Sequence, residues 1–223
     1  MSQIWNIDDV TENDLKIRYQ EVGGVGEWVW PVKDEGAWDG PSKEFEEIKN
    51  HIMRHVRARG VIVQAGGCCG MYPRLFSNYF DKVYTFEPSP YSFYCLLKNC
   101  PDERIIKYNA ALGYEEKEVY LCMTSDVNVG MNTITEDTGL GMPVQQMTVD
   151  GLKLEACDAI QFDLEGYEPS ALLGAERTIT TFHPVVSLEV RSPTEASVAI
   201  LEQWGYREVG RHVSDVIFAV PKG

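Results

Sequence analysis

Residues Val61 to Pro88, VIVQAGGCCGMYPRLFSNYFDKVYTFEP, constrain the fold more than any other stretch of the chain. Val61-Ile62-Val63 is a β-branched run without a polar break, the pattern of a strand covered on both faces. Gly66-Gly67-Cys68-Cys69-Gly70 follows at once, and glycine lets backbone turn sharply and lie close to a ligand. Pro73 falls in the first turn of the next helix, where its missing N–H is not needed. Leu75, Phe76, Tyr79 and Phe80 give that helix an apolar face. Val83 to Phe86 is a second strand, tipped by Glu87 seventeen residues beyond Gly70. Ser89 and Pro90 read as the N-cap and first residue of a helix through Asn99. Strand, glycine turn, helix, strand and terminal acid build half of a nucleoside crevice at the carboxyl edge of a parallel sheet. The acid there accepts hydrogen bonds from both hydroxyls of a ribose.

The glycine spacing separates cofactor classes. A dinucleotide turn needs G-x-G-x-x-G, whose second glycine admits the pyrophosphate. A template started at Gly66 puts Cys68 and Met71 at its second and third glycines, so it fails twice. Gly66 and Gly70, four apart, suit a nucleoside cofactor without phosphates.

Five segments in order carry a family resemblance. Val63-Gln64-Ala65-Gly66-Gly67-Cys68-Cys69-Gly70 is similar to V-D-x-G-A-N-x-G, and Phe86-Glu87-Pro88-Ser89-Pro90 to F-E-P-x-P. Asn109-Ala110-Ala111-Leu112-Gly113 matches N-A-A-L-G. Ile160-Gln161-Phe162-Asp163-Leu164-Glu165-Gly166 is similar to L-K-I-D-V-E-G, with Glu168 and Leu172-Leu173-Gly174-Ala175 after it. Pro184 to Glu189 fits P-x-x-x-x-E. From Val61 to Val220 the chain thus resembles the FkbM-type group of class I S-adenosylmethionine-dependent methyltransferases.

The resemblance implies a doubly wound, mostly parallel, Rossmann-like α/β sheet of seven strands with an antiparallel last strand. It implies S-adenosylmethionine as cofactor, its methionine end cradled by Gly66, Gly67 and Gly70, its ribose on Glu87, and Asn109-Ala110 at the adenine edge. Gln64, Cys68, Pro88 and Asp163 complete the expected cofactor-binding set. Three positions depart from the pattern: Gln64 for an acid, Cys68 for asparagine and Gln161 for lysine. Gln64 offers an amide oxygen but no charge to the cationic end of the cofactor, so weaker binding is expected.

Composition excludes several other readings. A net charge of -14 lacks the basic footprint that long nucleic acid or an anionic membrane surface requires. No apolar run approaches a membrane span, and MSQIWNIDDVTEND lacks a basic-then-apolar signal pattern. Six cysteines, at 68, 69, 95, 100, 122 and 157, include no C-x-x-C pair, which points to reduced thiols in a cytoplasmic protein.

Residues 1–40 form an N-terminal extension, and 41–223 the methyltransferase domain. Trp28, Trp30 and Trp38 in the extension either wall the acceptor site as a lid or pack it down. Pro41 to Val56 reads as an amphipathic helix with His51 and His55 four residues apart, a spacing without a third ligand nearby, so no metal site is expected. Strands and turns fill Arg104 to Asp158, and the loop Asn128 to Asn132 is placed to hold an acceptor.

Chemistry concentrates at the ends of two later strands. Ala159 to Phe162 delivers Asp163 and Glu165, and Val185 to Leu188 delivers Glu189. Three carboxylates gathered there repel unless a sulfonium, a metal ion or an acceptor hydroxyl joins them, and crowding raises their pKa values toward those of useful bases. Glu165, Glu189 and His212 are the candidate bases, His212 because the turn after Tyr206 to Val209 opens on the crevice if that strand runs parallel. The expected reaction is in-line methyl transfer to a hydroxyl on a small molecule or sugar. The resemblance favours oxygen, and the aromatic-flanked N-P-P signature of amino-group enzymes is absent after Phe162. A silent cofactor-binding scaffold and a nicotinamide oxidoreductase are the alternatives.

Overall fold

A computed structural model of the chain describes residues 15–22, 25–125, 127–190 and 195–221. The parallel strands predicted from β-branched runs all form: β3 (Val61–Ala65), β4 (Lys82–Phe86), β5 (Ile105–Tyr108), β10 (Ala159–Phe162) and β11 (Val185–Glu189). With β12 (Arg207–His212) and β13 (Asp215–Ala219) they make one seven-stranded sheet, ordered β12-β13-β11-β10-β3-β4-β5. β13 is antiparallel to both neighbours and every other pairing is parallel. This is the expected mostly parallel Rossmann-like sheet, with β4 and β5 added on one side of β3 and β10 and β11 on the other.

Helices cover both faces because each strand is apolar on both. On one face lie α1 (Gly36–His55), α2 (Met71–Phe76) and α3 (Pro90–Asn99), closing a core of Phe45, Ile48, Ile62, Phe76 and Leu96. On the other, α4 (Glu168–Leu173), α5 (Glu176–Phe182) and α6 (Glu195–Gln203) cover Val63, Phe86, Ile160, Phe162 and Leu188. The Ser89 cap of α3 forms as predicted, its hydroxyl accepting from the Ser92 N–H at 3.3 Å. α1 begins at Gly36, five residues before the predicted start at Pro41, and His51 packs over Gly210 of β12. No helix among the described residues is long and apolar enough to cross a membrane.

Two additions flank the main sheet. The strand-and-turn region folds into a second sheet of β6 (Ala111–Leu112), β9 (Met142–Met147), β7 (Lys117–Cys122) and β8 (Thr133–Thr135), in that order. Alternation along it sends Val119, Leu121 and Val144 into a small core of their own. Before α1, β1 (Leu15–Val22) and β2 (Val25–Pro31) pair as a hairpin. Asn99 clamps the hairpin to α3, its amide accepting from Val29 N–H and donating to Val29 carbonyl, both at 2.8 Å.

Trp28 is fully buried under the Arg74 guanidinium, whereas Trp30 reaches the central crevice. The side chain of Trp38 and residues 1–14 lie outside the described residues.

Candidate active site

The crevice opens at the carboxyl ends of β3, β4, β10 and β11, where a doubly wound sheet places its ligands. It has a volume of about 260 Å³. Gly66, Gly67, Cys68, Glu87, Pro88, Ala110, Asp163, Glu165 and Glu189 all line it. Residues brought together from four strand ends were therefore largely visible in the sequence.

The β3–α2 turn is shaped by backbone that side chains could not share. Gly66 has φ +81°, and a Cβ there would sit 2.0 Å from the Asp163 carbonyl oxygen. Gly67 is bare because a Cβ would press on Thr85 and Leu96. Both glycine N–H groups donate to the Phe86 carbonyl, at 3.2 and 2.9 Å, which locks the turn to β4. Cys68 holds a left-handed backbone, φ 44°, unusual without glycine. That twist aims its N–H at Glu87 Oε2, 2.7 Å away.

Glu87 is buried, and its second oxygen accepts from the Ser89 N–H at 2.8 Å. Burial pushes its carboxyl up to about 7, against the opposing pull of the Ser89 and Cys68 amides. Each oxygen keeps a lone pair for another donor. Asn109 does not line the crevice; its amide donates to the Glu87 and Pro88 carbonyls at 2.8 and 3.2 Å. It holds the acid's strand end in place, while Ala110, Ala111, Leu112 and Phe86 supply the apolar wall beside it.

Gln64 is likewise absent from the wall. Fully buried beneath the turn, it accepts from the Thr85 hydroxyl at 2.6 Å and donates to the Gly66 carbonyl at 3.1 Å. The neutral amide thus serves the turn and the sheet. Gln161, one strand away on the same face, is also fully buried.

On the facing wall the carboxylates of Asp163, Glu165 and Glu189 come within 4.8 Å of one another, a spacing that would let a divalent cation join them. Glu189 sits opposite Asp215 in the β11–β13 register, so a buried fourth acid stands behind the three. Burial, then the charges of Glu189, Asp215 and Glu165, hold the Asp163 carboxyl far above the ordinary range. Tyr72 of α2 completes this wall, its hydroxyl also pushed up by burial and by the nearby acids.

Glu165 and Gly166 take consecutive left-handed conformations, φ 51° and 99°. Buried Glu168 accepts from the Leu164 N–H at 2.7 Å and braces that loop. For a glutamate such a conformation costs about 1 kcal/mol, and it projects Glu165 into the crevice.

His212 ends β12 on the crevice side, as the parallel direction of β12 requires, but it does not line the crevice. Sequence reasoning passed over Asp215 and Tyr72. The signal for Asp215 was available: the first residue of an antiparallel last strand must fall at the carboxyl edge of its neighbours.

The roof joins two distant segments, and its fastener is Asp34, a fully buried carboxylate. Asp34 accepts from Trp30 Nε1 at 2.7 Å and from the Val129 N–H at 2.8 Å. The Glu35 N–H donates to the Val127 carbonyl at 3.0 Å. Trp30 and the loop Asn128 to Asn132 are thereby held together over the crevice. Asp34→Ala would strand two buried donors, at about 1–3 kcal/mol each. We expect a lowered thermal midpoint, with faster hydrogen exchange at residues 127–131 than in the β3 and β10 strands.

The Methyltransferase FkbM domain profile matches residues 69–208. Among solved structures, a methyltransferase FkbM of Methylobacillus flagellatus KT is 18% identical, with a TM-score of 0.53 over 82% of this chain and 56% of that one. A precorrin-6y C5,15-methyltransferase of Geobacter metallireducens GS-15 is 12% identical, with a TM-score of 0.52 over 90% of this chain and 97% of its own. Trm5b of Pyrococcus abyssi is 13% identical, also at 0.52, over 94% of this chain and 57% of its own. The chain thus spans little more than half the length of the first and third. No curated protein sequence gives a significant match. The profile covers more than half of the chain and the sheet order agrees with it: the chain belongs to the Methyltransferase FkbM domain family.

Proposed function

We propose that the crevice binds S-adenosylmethionine and that the protein methylates a hydroxyl on a small molecule or sugar. One observation carries the cofactor assignment: Glu87, buried at the tip of β4 beside bare glycine backbone, with both oxygens oriented by main-chain N–H groups. The donor set fits. Glu87 suits a ribose diol, the wall of Phe86, Ala110 and Leu112 suits an adenine, and Asp163 suits a cationic amino group. No lysine, arginine or histidine is among the described residues lining the crevice, which agrees with a cofactor lacking phosphates.

When bound, the cofactor supplies a sulfonium-borne methyl group open to attack by oxygen. The chain's own work is alignment, water exclusion and proton removal. The roof of Trp30 and Asn128 to Asn132 shields the crevice, and its amides can orient an acceptor hydroxyl. Glu165 and Glu189 are the carboxylates placed to accept the hydroxyl proton as the new bond forms. Orientation of acceptor against methyl is the larger contribution, of order several kcal/mol.

The test is transfer of labelled methyl from S-adenosylmethionine to a panel of polyhydroxylated acceptors, with amines as the competing class. Label appearing on oxygen is expected. Replacement of the base, by Glu165→Gln or Glu189→Gln, should lower kcat about 10²-fold or more. Label confined to amines would overturn the hydroxyl assignment. Tight S-adenosylhomocysteine binding with no transfer to any acceptor would instead favour the silent scaffold.

A further inference from the structure

We infer that the Tyr72 hydroxyl is a further cofactor-binding group, which donates a hydrogen bond to the α-carboxylate of S-adenosylmethionine. This rests on the cofactor reading above and gives the one anionic group of that cofactor its partner.

The crevice is hostile to an anion. Glu44, Glu87, Asp163, Glu165 and Glu189 all line it, and no lysine, arginine or histidine does so among the described residues. A ribose suits Glu87 and an amino group suits Asp163, but a carboxylate drawn into this wall needs a donor to offset its desolvation. Most neutral donors here are committed elsewhere. The turn amides of Gly66, Gly67 and Cys68 donate to the Phe86 carbonyl and to Glu87. Trp30 Nε1 donates to Asp34 at 2.7 Å, and the Tyr167 hydroxyl to Gln146 at 2.9 Å. Asn128 and Asn132 sit in the roof. Tyr72 differs from all of these. It is 8% exposed, and its hydroxyl makes no hydrogen bond to another described residue, yet that oxygen is not one of the unpaired polar atoms sealed from solvent. Its O–H therefore opens on the crevice that Tyr72 lines.

Packing fixes which end of the crevice this is. The Tyr72 ring meets Phe45 of α1 at 5.7 Å between centroids and Phe76 of α2 edge-on at 6.1 Å. Because α1 packs on β11 and β13, the seam between α1 and α2 lies toward the strand ends that carry Glu189 and Asp215. Glu87 tips β4, three places along the sheet from β11, with β10 and β3 between them. The hydroxyl agrees with that placement: burial, then the charges of Asp215 and Asp163, push it well up, so it stays protonated and can only gain by donating. The amino group and the carboxylate of the cofactor share one carbon. An amino group held by Asp163 therefore puts the carboxylate at the Tyr72 end, where an O–H to a charged oxygen makes a strong hydrogen bond.

Tyr72→Phe tests the inference, because Phe45 and Phe76 hold the ring with or without its oxygen. Calorimetric titration of native protein and variant would use three probes: S-adenosylhomocysteine, its decarboxylated analogue, and methylthioadenosine, which lacks the whole amino-acid end. S-adenosylhomocysteine should bind the variant about tenfold or more weakly. The other two should bind native protein and variant alike. The thermal midpoint of the free variant should hold or rise, since the lost hydroxyl has no protein partner to leave behind. Equal weakening of S-adenosylhomocysteine and the decarboxylated analogue would make the effect structural, and a lowered midpoint would give the hydroxyl a partner within the protein. Either result, or unchanged S-adenosylhomocysteine affinity, would overturn the assignment of Tyr72 alone. A native chain that binds none of the three probes would sink the cofactor reading and this inference with it.

Discussion

Replacing Glu87 with alanine is expected to weaken S-adenosylhomocysteine binding about 10²-fold or more. On the proposed cofactor assignment, two hydrogen bonds from ribose hydroxyls to a charged acceptor would be removed, each worth about 1.5–3 kcal/mol. The Cys68 and Ser89 amides also lose the oxygens they now serve, at 2.7 and 2.8 Å, so the turn loosens as well. Glu87→Gln separates these effects, because its amide keeps the shape and one acceptor.

The same residue makes binding pH-dependent. Hydroxyl donors favour the carboxylate, and burial holds the free protein's carboxyl near 7. The dissociation constant should therefore rise as pH falls below 7, by up to about tenfold per unit. Calorimetric titration from pH 6 to pH 8 would show it, and Glu87→Gln should flatten the profile. A flat profile in the native chain would mean that Glu87 does not ionise on binding.

The folding linkage has the opposite sign. The folded pKa lies above the ordinary 4.5, so the free protein binds this proton more tightly than the unfolded chain does. Its stability contribution is full below about 4.5 and is lost as pH rises through 7. Cofactor should stabilise the protein most above neutrality.

Gly66→Ala is the second large effect. The new methyl would lie 2.0 Å from the Asp163 carbonyl oxygen, at a φ of +81° that L-residues rarely adopt. Asp163 directly follows β10, which is paired on both sides, and its own N–H donates to the Ala65 carbonyl at 3.1 Å, so this backbone cannot swing away as a side chain could. Overpacking and left-handed strain together should cost about 3 kcal/mol or more. A lowered urea midpoint together with lost S-adenosylhomocysteine binding is expected. Native affinity with only reduced stability would mean that the cradle tolerates displacement from Asp163.

Most of the architecture could be read from local patterns. β-branched runs marked the buried parallel strands, and Ser89-Pro90 marked the start of α3, since each pattern reports its own surroundings. The second sheet was harder. Its strands pair across distant residues, such as Lys117 with Gln146, and nothing local states a partner.

The candidate site divides in the same way. Sequence determined the glycine turn, the acid at the tip of β4 and the carboxylates ending β10 and β11, because strand ends in a doubly wound sheet must meet at one edge. Tertiary structure alone decided which of these groups face the crevice. It withdrew Gln64 and Asn109 into the scaffold, since Thr85, Gly66 and the Glu87 and Pro88 carbonyls occupy their amides. It brought Asp215 behind Glu189 through an antiparallel pairing, and it fastened Trp30 to Val129 through Asp34, ninety-five residues from that loop. A residue's type and spacing fix what it can bind, but its partner depends on which distant backbone the fold sets against it.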